Sequence, residues 1–303
     1  MDKPLVSVIM PAYNAELYIG EAIESVVNQT FRSWELIIIN DGSTDATEKI
    51  ILDFERKDKR IKYLFQENGK QGKARNLGIT HSIGTYIAFL DADDLWVENK
   101  LAIQVNYLIA NKEIDLIFSQ GYSLNQGNLI NFDVIVKPVW NINDLPLFIN
   151  RNQVPILSVV VNKRCLDNVS NFIEDLDIQN VEDYHLWLKM LSKNCIFMSL
   201  KQRLFFYRIH DNQITKNENL DDLRLLNLFE DFYNYYDNAI SHKMILAKFK
   251  WGIFDERHSK RYFEFCYKLM ELYNKPLVQI IKVLNFLPFK QIKHKLIVRL
   301  LVI

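Results

Sequence analysis

The chain has 303 residues, of which 49% are hydrophobic and 24% charged, a composition typical of a soluble globular protein with ample core. Its 37 basic and 37 acidic side chains cancel, so no overall basic field predicts binding to nucleic acid. The apolar run near the N-terminus stops at Pro11, and no stretch reaches the ~18 apolar residues of a membrane-spanning helix. We therefore expect a cytoplasmic protein.

Residues 4–119 alternate between β-type and helical patterns. Val6–Met10 is β-branched and apolar, as in a strand buried on both faces, and Ile19 begins a run of apolar residues at helical spacing. The same reasoning predicts strands at 6–10, 34–39, 61–65, 86–90 and 115–119, and helices at 19–27, 44–54 (capped by Thr44 or Asp45), 72–82 and 97–110. Such alternation predicts an α/β fold with a mostly parallel central sheet flanked by helices.

The pattern is less regular beyond residue 120. It predicts strands near 130–136 and at 156–161, 196–199 and 204–209, and helices near 145–149 and at 181–193. From Asp221 onward the pattern is helical and rich in aromatic residues.

The three cysteines, Cys165, Cys195 and Cys266, are odd in number and far apart. They lack metal-ligand spacing, so we expect reduced thiols that pack as small apolar residues.

Three carboxylates, Asp91, Asp93 and Asp94, follow the strand at 86–90. Alternate residues of an extended chain point the same way, so Asp91 and Asp93 can address one hard cation such as Mg²⁺ or Mn²⁺. Two alternatives are a phosphatase-like D-x-D-x-T/V motif, from which Leu95 departs, and acidic caps on the next helix, which explain one aspartate better than three.

Several motifs occur together and in a fixed order. The chain resembles the nucleotide-sugar-dependent glycosyltransferases of family 2 over residues 4–118 and 181–215, about half of its length. The resemblance implies a GT-A (Rossmann-like) fold with a helical C-terminal extension. It is carried by VSVIMPAYNAE, WELIIINDGSTDAT, ENGKQGKARNLGI, YIAFLDADDLW, VEDYHLWLKM and a closing Y-R-x-H element at 207–210.

The resemblance assigns the ends of the first two strands to the nucleotide. The backbone and ring at Tyr13 suit a flat base, and Asp41 can accept the imide N–H of uracil or thymine, which favours a UDP- or dTDP-sugar. Tyr13 as a packing aromatic, Asp41 as a turn residue and Glu16 as a helix cap are the alternatives. The binding set expected here is Pro11, Ala12, Tyr13, Asn14, Glu16 and Asp41.

The diphosphate and a divalent metal are expected beside the Asp91–Ala92–Asp93 segment. Lys73 and Arg75 begin a helix whose N–H groups suit phosphate, with Arg75 matching the family's A-R-N element. The resemblance makes Asp93 the main metal ligand, assisted by Asp91, which contacts ribose or the metal's waters. In the Y-R-x-H element it implies that His210 reaches the metal or the diphosphate and that Arg208 counters phosphate charge.

A transfer reaction also needs a base for the acceptor hydroxyl. Glu182 and Asp183 open the helix at 181–193, and their side chains diverge by ~100°. We expect Asp183 to flank the packed face and Glu182 to point further away. The resemblance makes Asp183 the base of an inverting transfer, with Glu182 placing the acceptor; two acids stabilising a helix N-terminus are the alternative.

The remaining regions carry fewer landmarks. We expect a catalytic domain at 1–215, with nucleotide-sugar binding in 1–118 and the acceptor side in 119–215, followed by a helical region at 216–303. Trp140, Arg151 and Arg164 are either acceptor contacts or, more simply, packing and surface residues. The basic, apolar segment 277–303 predicts peripheral contact with anionic membrane, the alternative being packing on the catalytic domain or a sister subunit in a homo-oligomer.

The expected activity is transfer of a sugar to a hydroxyl of a glycan or lipid-linked glycan in surface polysaccharide biosynthesis. A sugar nucleotidyltransferase would carry a glycine-rich, basic loop after the first strand, where this chain has PAYNA. A non-catalytic nucleotide-sugar-binding scaffold would be expected to lose either the Asp91–Asp93 pair or Asp183.

Overall fold

The computed structural model describes residues 4–210 and 218–236, together with residues 244, 245, 248, 261, 264–266 and 268. Within this part the strands are β1 Val6–Ala12, β2 Trp34–Asp41, β3 Ile61–Gln66, β4 Tyr86–Phe89, β5 Leu95–Trp96, β6 Leu116–Asn125, β7 Asn128–Phe132, β8 Val160–Asn162 and β9 Phe197–Ile209. The helices are α1 Ile19–Val27, α2 Thr47–Lys57, α3 Lys70–His81, α4 Lys100–Ala110, α5 Leu145–Asn150, α6 Lys163–Asp167, α7 Glu182–Ser192 and α8 Glu218–Tyr235.

The strands form one sheet in the order β3-β2-β1-β4-β8-β6-β9-β5, with β7 paired to β6. Strands β3, β2, β1 and β4 are parallel, and this half carries the predicted nucleotide region. Strand β8 runs antiparallel to both β4 and β6, whereas β9 is parallel to β6. Because the carboxyl ends of β1, β2 and β4 lie at one edge, the loops after them meet there.

Two hydrophobic layers cover the two faces of the sheet. Alternate residues of one strand enter different layers, as the two-residue period of a strand requires. In β1 and β2 the side chains of Ile9, Ile37 and Ile39 pack in the layer that contains Trp187 of α7. Those of Val8, Leu36 and Ile38 pack in the layer that contains Ile23 of α1 and Val105 of α4.

The predicted alternation of strands and helices is confirmed in residues 4–119, with small shifts at the ends. The cap prediction for α2 is wrong, because the helix begins at Thr47 after Ala46; Asp45 nevertheless accepts a bond from the Thr47 amide.

The strand predicted at 156–161 is also wrong in part. Residues Ile156–Ser158 form a 3₁₀ turn after Pro155, and the strand begins only at Val160. The strands predicted at 196–199 and 204–209 are one strand, β9, whose exposed Lys201 and Gln202 imitate a turn in the sequence.

Helix α8 packs onto the preceding part of the chain. The ring of Phe229 meets that of Tyr184 in α7 at 5.8 Å, and Phe232 is fully buried in the same layer. The start of the region predicted at 216–303 therefore shares a hydrophobic core with residues of the region predicted at 1–215. The segment 277–303 lies outside the described residues. Among those described, no helix has the length and apolar character needed to cross a membrane.

A substitution at Gly78 tests how closely α3 packs against the sheet. A Cβ at this position would lie 2.6 Å from Cγ2 of Ile9 and 2.9 Å from Cδ1 of Ile39. We expect Gly78→Ala to lower the free energy of unfolding by about 1 to 3 kcal/mol, because α3 must move away from β1 and β2. Denaturant unfolding followed by circular dichroism measures this.

Gly20→Ala is the matched control, since a Cβ at Gly20 in α1 meets no atom within 4 Å. That variant should gain up to about 1 kcal/mol from helix propensity. Equal effects of the two substitutions would contradict the packing described for α3.

Candidate active site

The residues predicted to bind a nucleotide meet at the carboxyl edge of the parallel strands. The loop after β1, the loop after β2 and the start of α3 are joined there by side-chain hydrogen bonds. Asn14 has a left-handed backbone conformation with φ of 48°. Its backbone N–H donates to Ser43 Oγ, and its side-chain Oδ1 accepts from the Thr44 backbone amide. Glu16 accepts from the amide of Ala46 at the start of α2.

These bonds favour the cap alternative for Glu16, although the helix start that it serves belongs to α2. Asn14 likewise acts structurally, since its hydrogen bonds join the loop after β1 to the loop after β2. The ring of Tyr13 remains exposed at 51%, which leaves a flat apolar surface at the end of β1. Pro11 and Ala12 lie within β1 itself, so their backbone fixes the position of that ring.

Asp41 holds the start of α3 against the end of β2. Its carboxylate accepts from Gln66 Nε2 at 2.6 Å, from the Gly69 amide at 2.7 Å and from the Lys70 amide at 2.9 Å. A carboxylate offers about four acceptor positions, so about one remains for a further donor such as a base N–H. Lys73 is exposed in the first turns of α3, beside this corner.

Arg75 lies deeper than its predicted role implied. It belongs to the interior of α3, is only 3% exposed and donates to two carboxylates at once. Nη1 bonds Oε1 of Glu182 at 2.5 Å, and Nη2 bonds Oδ1 of Asp91 at 2.8 Å. Burial alone would lower the pKa of Arg75, but the charges of Asp91 and Glu182 raise it, so the side chain stays charged.

The two acidic motifs are therefore brought together by one guanidinium, although 91 positions separate Asp91 from Glu182 in the chain. The sequence predicted a phosphate ligand at Arg75. In the structure its two terminal nitrogens serve the carboxylates of Asp91 and Glu182.

Asp93 has a different partner. Its Oδ2 lies 3.0 Å from Nε2 of His210, whose ring packs on Tyr18 at a centroid distance of 4.7 Å. Burial and the nearby charge of Asp91 raise the pKa of Asp93, against the opposing effect of its bond to His210. This crowding of negative charge is what a bound cation would relieve.

Asp94 and Arg208 support the loop from behind. Asp94 is 1% exposed and accepts from the Arg208 amide at 2.8 Å. The Arg208 guanidinium donates to the Asp93 carbonyl at 2.9 Å and to Glu21 at 2.8 Å. A contact between Arg208 and a donor phosphate, as predicted from the sequence, would have to be made alongside these bonds.

Of the expected metal ligands, Asp93 and His210 are brought together, with Oδ2 and Nε2 3.0 Å apart, and Asp91 lies on the same loop with its Oδ1 bonded to Arg75. Two carboxylates and one imidazole offer mostly oxygen ligands, which suit Mg²⁺ or Mn²⁺. Ala92, buried between the two aspartates, keeps the loop close to the sheet.

The expected orientation of Glu182 and Asp183 is reversed. Glu182 is the more buried, at 5% exposure, because it reaches Arg75 across the gap between α7 and α3. Asp183 is half-buried and accepts from Asn152 Nδ2 at 3.3 Å. Burial and the neighbouring Glu182 raise the pKa of Asp183 to about 7, although Arg75 acts in the opposite direction.

Some residues of the site gave no signal in the sequence. Asn152, Gln66 and Tyr18 are single polar or aromatic residues whose roles depend on long-range contacts. Of the acceptor candidates, Trp140 is fully buried and bonds Ser199, so it packs in the core, and Arg151 is exposed.

Comparison with known proteins identifies the family. A sequence model described as "Glycosyl transferase family 2" matches residues 7–150. A relative from Escherichia coli named "UDP-Glc:alpha-D-GlcNAc-diphosphoundecaprenol beta-1,3-glucosyltransferase WfgD" is 33% identical over 239 residues, covering 77% of this chain and 88% of its own length. The "putative teichuronic acid biosynthesis glycosyltransferase TuaG" of Bacillus subtilis is 33% identical over 218 residues, covering 71% of this chain and 83% of its own.

Solved structures share the fold. S. aureus TarS 1-349 in complex with UDP-GlcNAc superposes with a TM-score of 0.71 at 16% identity, over 98% of this chain and 89% of that one. The mannosyltransferase PcManGT from Pyrobaculum calidifontis, in complex with GDP-Man and Mn²⁺, gives 0.61 at 14% identity, over 99% and 85%. This chain belongs to glycosyltransferase family 2 and is a transferase with the GT-A fold.

Proposed function

We propose that the protein is a metal-dependent inverting glycosyltransferase. It moves a sugar from a UDP- or dTDP-sugar to a hydroxyl of a glycan or lipid-linked glycan in surface polysaccharide biosynthesis. One observation carries this proposal: the Arg75 guanidinium holds Asp91, beside the predicted diphosphate site, and Glu182, beside the predicted base, at a single point.

The donor nucleotide is proposed to lie at the corner formed by β1, β2 and α3. The exposed ring of Tyr13 stacks on the base, and the remaining acceptor position of Asp41 takes the imide N–H that uracil and thymine carry. Lys73 and the start of α3 face the phosphates. The UDP-Glc named as donor of the relative from E. coli supports a uridine nucleotide.

The metal is proposed to be held by Asp93, with Asp91 and His210. When bound, it stabilises the negative charge that develops on the leaving nucleoside diphosphate. Arg75 keeps Asp91 oriented, and Arg208 and Asp94 keep the Asp93 backbone in place.

Asp183 is proposed as the general base. With a pKa raised to about 7, it is half ionised at neutral pH and largely ionised above it, and it is basic enough to accept a proton from a hydroxyl. The acceptor oxygen bonds to the anomeric carbon as the bond to the diphosphate oxygen breaks, and the hydroxyl proton moves to Asp183. Glu182, fixed by Arg75, places the acceptor.

The acceptor class is proposed from the relatives. One is named for a diphosphoundecaprenol-linked sugar and another for teichuronic acid biosynthesis. We propose a cytoplasmic enzyme whose segment 277–303 contacts anionic membrane, where a lipid-linked acceptor would be located. The alternative is that this segment joins two subunits of a homo-oligomer. We keep the division into a catalytic domain at 1–215 and a helical region at 216–303 as part of this proposal.

Donor binding should depend on Asp93 and on the metal. We expect Asp93→Asn to weaken UDP or dTDP binding at least tenfold, about 1.4 kcal/mol, with Mn²⁺ present, because the principal metal ligand loses its charge. Isothermal titration of UDP, dTDP, GDP and CDP, each with Mn²⁺ and with EDTA, measures this.

Asp167→Asn, which neutralises an exposed aspartate of α6, is the control and should bind like the wild type. Nucleotide binding that ignores both the metal and Asp93, or no binding at all, would contradict the donor site and favour a non-catalytic protein.

The base assignment predicts a particular pH dependence. A protonated carboxyl cannot accept a proton, so kcat should fall about tenfold per pH unit below the pKa of Asp183. Asp183→Asn should lower kcat by about 10² to 10⁴ while leaving the Kd for the donor nucleotide unchanged.

Asn152→Ala should shift the pH dependence of kcat in a defined direction. Its hydrogen bond favours the charged form of Asp183, so its loss should move the acidic limb of the pH profile to higher pH. Retained kcat in Asp183→Asn, or a product with the donor's anomeric configuration by NMR, would exclude an inverting transfer with this base.

A further inference from the structure

Two of the three cysteines meet an aspartate at the edge of the sheet opposite to the candidate active site. Asp115 precedes β6, Cys165 lies in α6, and Cys195 lies between α7 and β9. One ligand atom of each lies within 4.8 Å of those of the other two. The three residues are 50 and 30 positions apart along the chain, so the sequence alone did not indicate that they form a cluster.

The three positions are held by contacts that orient the aspartate. Oδ1 of Asp115 lies 3.1 Å from Sγ of Cys165, and its Oδ2 accepts from the Ile196 amide at 3.0 Å. Backbone bonds tie Asp115 to Ile196 at 2.8 Å and to Asn162 at 2.8 Å. One carboxylate oxygen is thus fixed by the residue after Cys195, and the other faces the cysteine sulfur.

The three ligand atoms lie close enough together to reach one ion. Zinc binds thiolate at about 2.3 Å and carboxylate at about 2.0 to 2.2 Å, so neighbouring ligands of one ion lie roughly 3.5 to 3.8 Å apart. Ligand atoms that already lie within 4.8 Å reach this with small rotations of side chains. A disulfide would instead bring the sulfurs to about 2.05 Å.

Charge and burial also suit a cation. Cys165 is 4% exposed and Cys195 is 7% exposed, so thiolates at these positions are stable only beside a cation. Two thiolates and a carboxylate carry three negative charges, of which Zn²⁺ neutralises two. Arg164, whose Nη2 lies 3.6 Å from Oδ1 of Asp115, supplies the third positive charge.

We propose that Asp115, Cys165 and Cys195 bind Zn²⁺, with water at the fourth position. The ion joins the start of β6, helix α6 and the segment before β9. Asp115 lies level with Asn162, which pairs with Tyr86 at the start of β4, whereas Asp91 and Asp93 follow the end of that strand. The site stabilises the second half of the sheet and is independent of sugar transfer.

Cobalt(II) titration of the reduced protein tests this directly, because thiolate ligands give a charge-transfer band that oxygen ligands lack. In wild type we expect one equivalent of Co²⁺ to produce that band together with tetrahedral d–d bands. Added Zn²⁺ should displace the Co²⁺ and abolish these bands. Cys165→Ser and Cys195→Ser should each weaken Zn²⁺ binding at least tenfold in competition with a chromophoric chelator.

Two controls separate this site from other metal sites. Cys266→Ser removes the third cysteine, and Asp93→Asn removes the proposed donor-site ligand; both should keep the cobalt band. A charge-transfer band of unchanged intensity and Co²⁺ affinity in Cys195→Ser, or loss of the band in Asp93→Asn, would overturn the proposal.

Two outcomes in wild type do not depend on how well the variants fold. Absence of the charge-transfer band would overturn the proposal. So would alkylation under non-reducing conditions that finds only one reactive thiol in the unfolded chain, because Cys165 and Cys195 would then be a disulfide.

Discussion

The buried guanidinium of Arg75 is the interaction on which the candidate site depends. It is the point at which α3, the loop after β4 and the start of α7 meet, through Asp91 and Glu182. The segment before α7 packs directly on α3 at Gly72, where a Cβ would lie 2.7 Å from the carbonyl of Ile173. A buried cation with two carboxylates is stable only as a set, since removing one member leaves uncompensated buried charge.

The three aspartates after β4 are separated by their partners. Asp91 faces Arg75, Asp93 faces His210, and Asp94 turns inward to the Arg208 amide. Only Asp91 and Asp93 therefore remain for a cation and its ligand. The hydrogen bond of Asp94 to the Arg208 amide fixes the conformation of the loop that carries Asp91 and Asp93. Because each aspartate has its own partner, three acidic residues can follow a buried strand despite their mutual repulsion.

Much of this arrangement could be predicted from the sequence, because it follows from strand periodicity and motif order. The parallel half of the sheet and the meeting of Tyr13, Asp41 and the Asp91–Asp93 pair at one edge needed no long-range information. The partners of individual side chains did need it. The start of α7 gave the angle between Glu182 and Asp183, but which of them faces the core depends on Arg75, 107 positions earlier. For the same reason Asp115, Cys165 and Cys195 looked unrelated.

A double-mutant cycle on Arg75 and Glu182 tests the central claim most directly. The measured quantity is the free energy of unfolding of Arg75→Met, Glu182→Gln and the double variant. We predict that Arg75→Met costs about 3 to 5 kcal/mol, since it leaves the Glu182 carboxylate buried without its cation. The double variant should lose less than the sum of the single losses, by about 1 to 3 kcal/mol. Losses that add to within about 0.5 kcal/mol would show that Arg75 and Glu182 act independently, and would contradict the account.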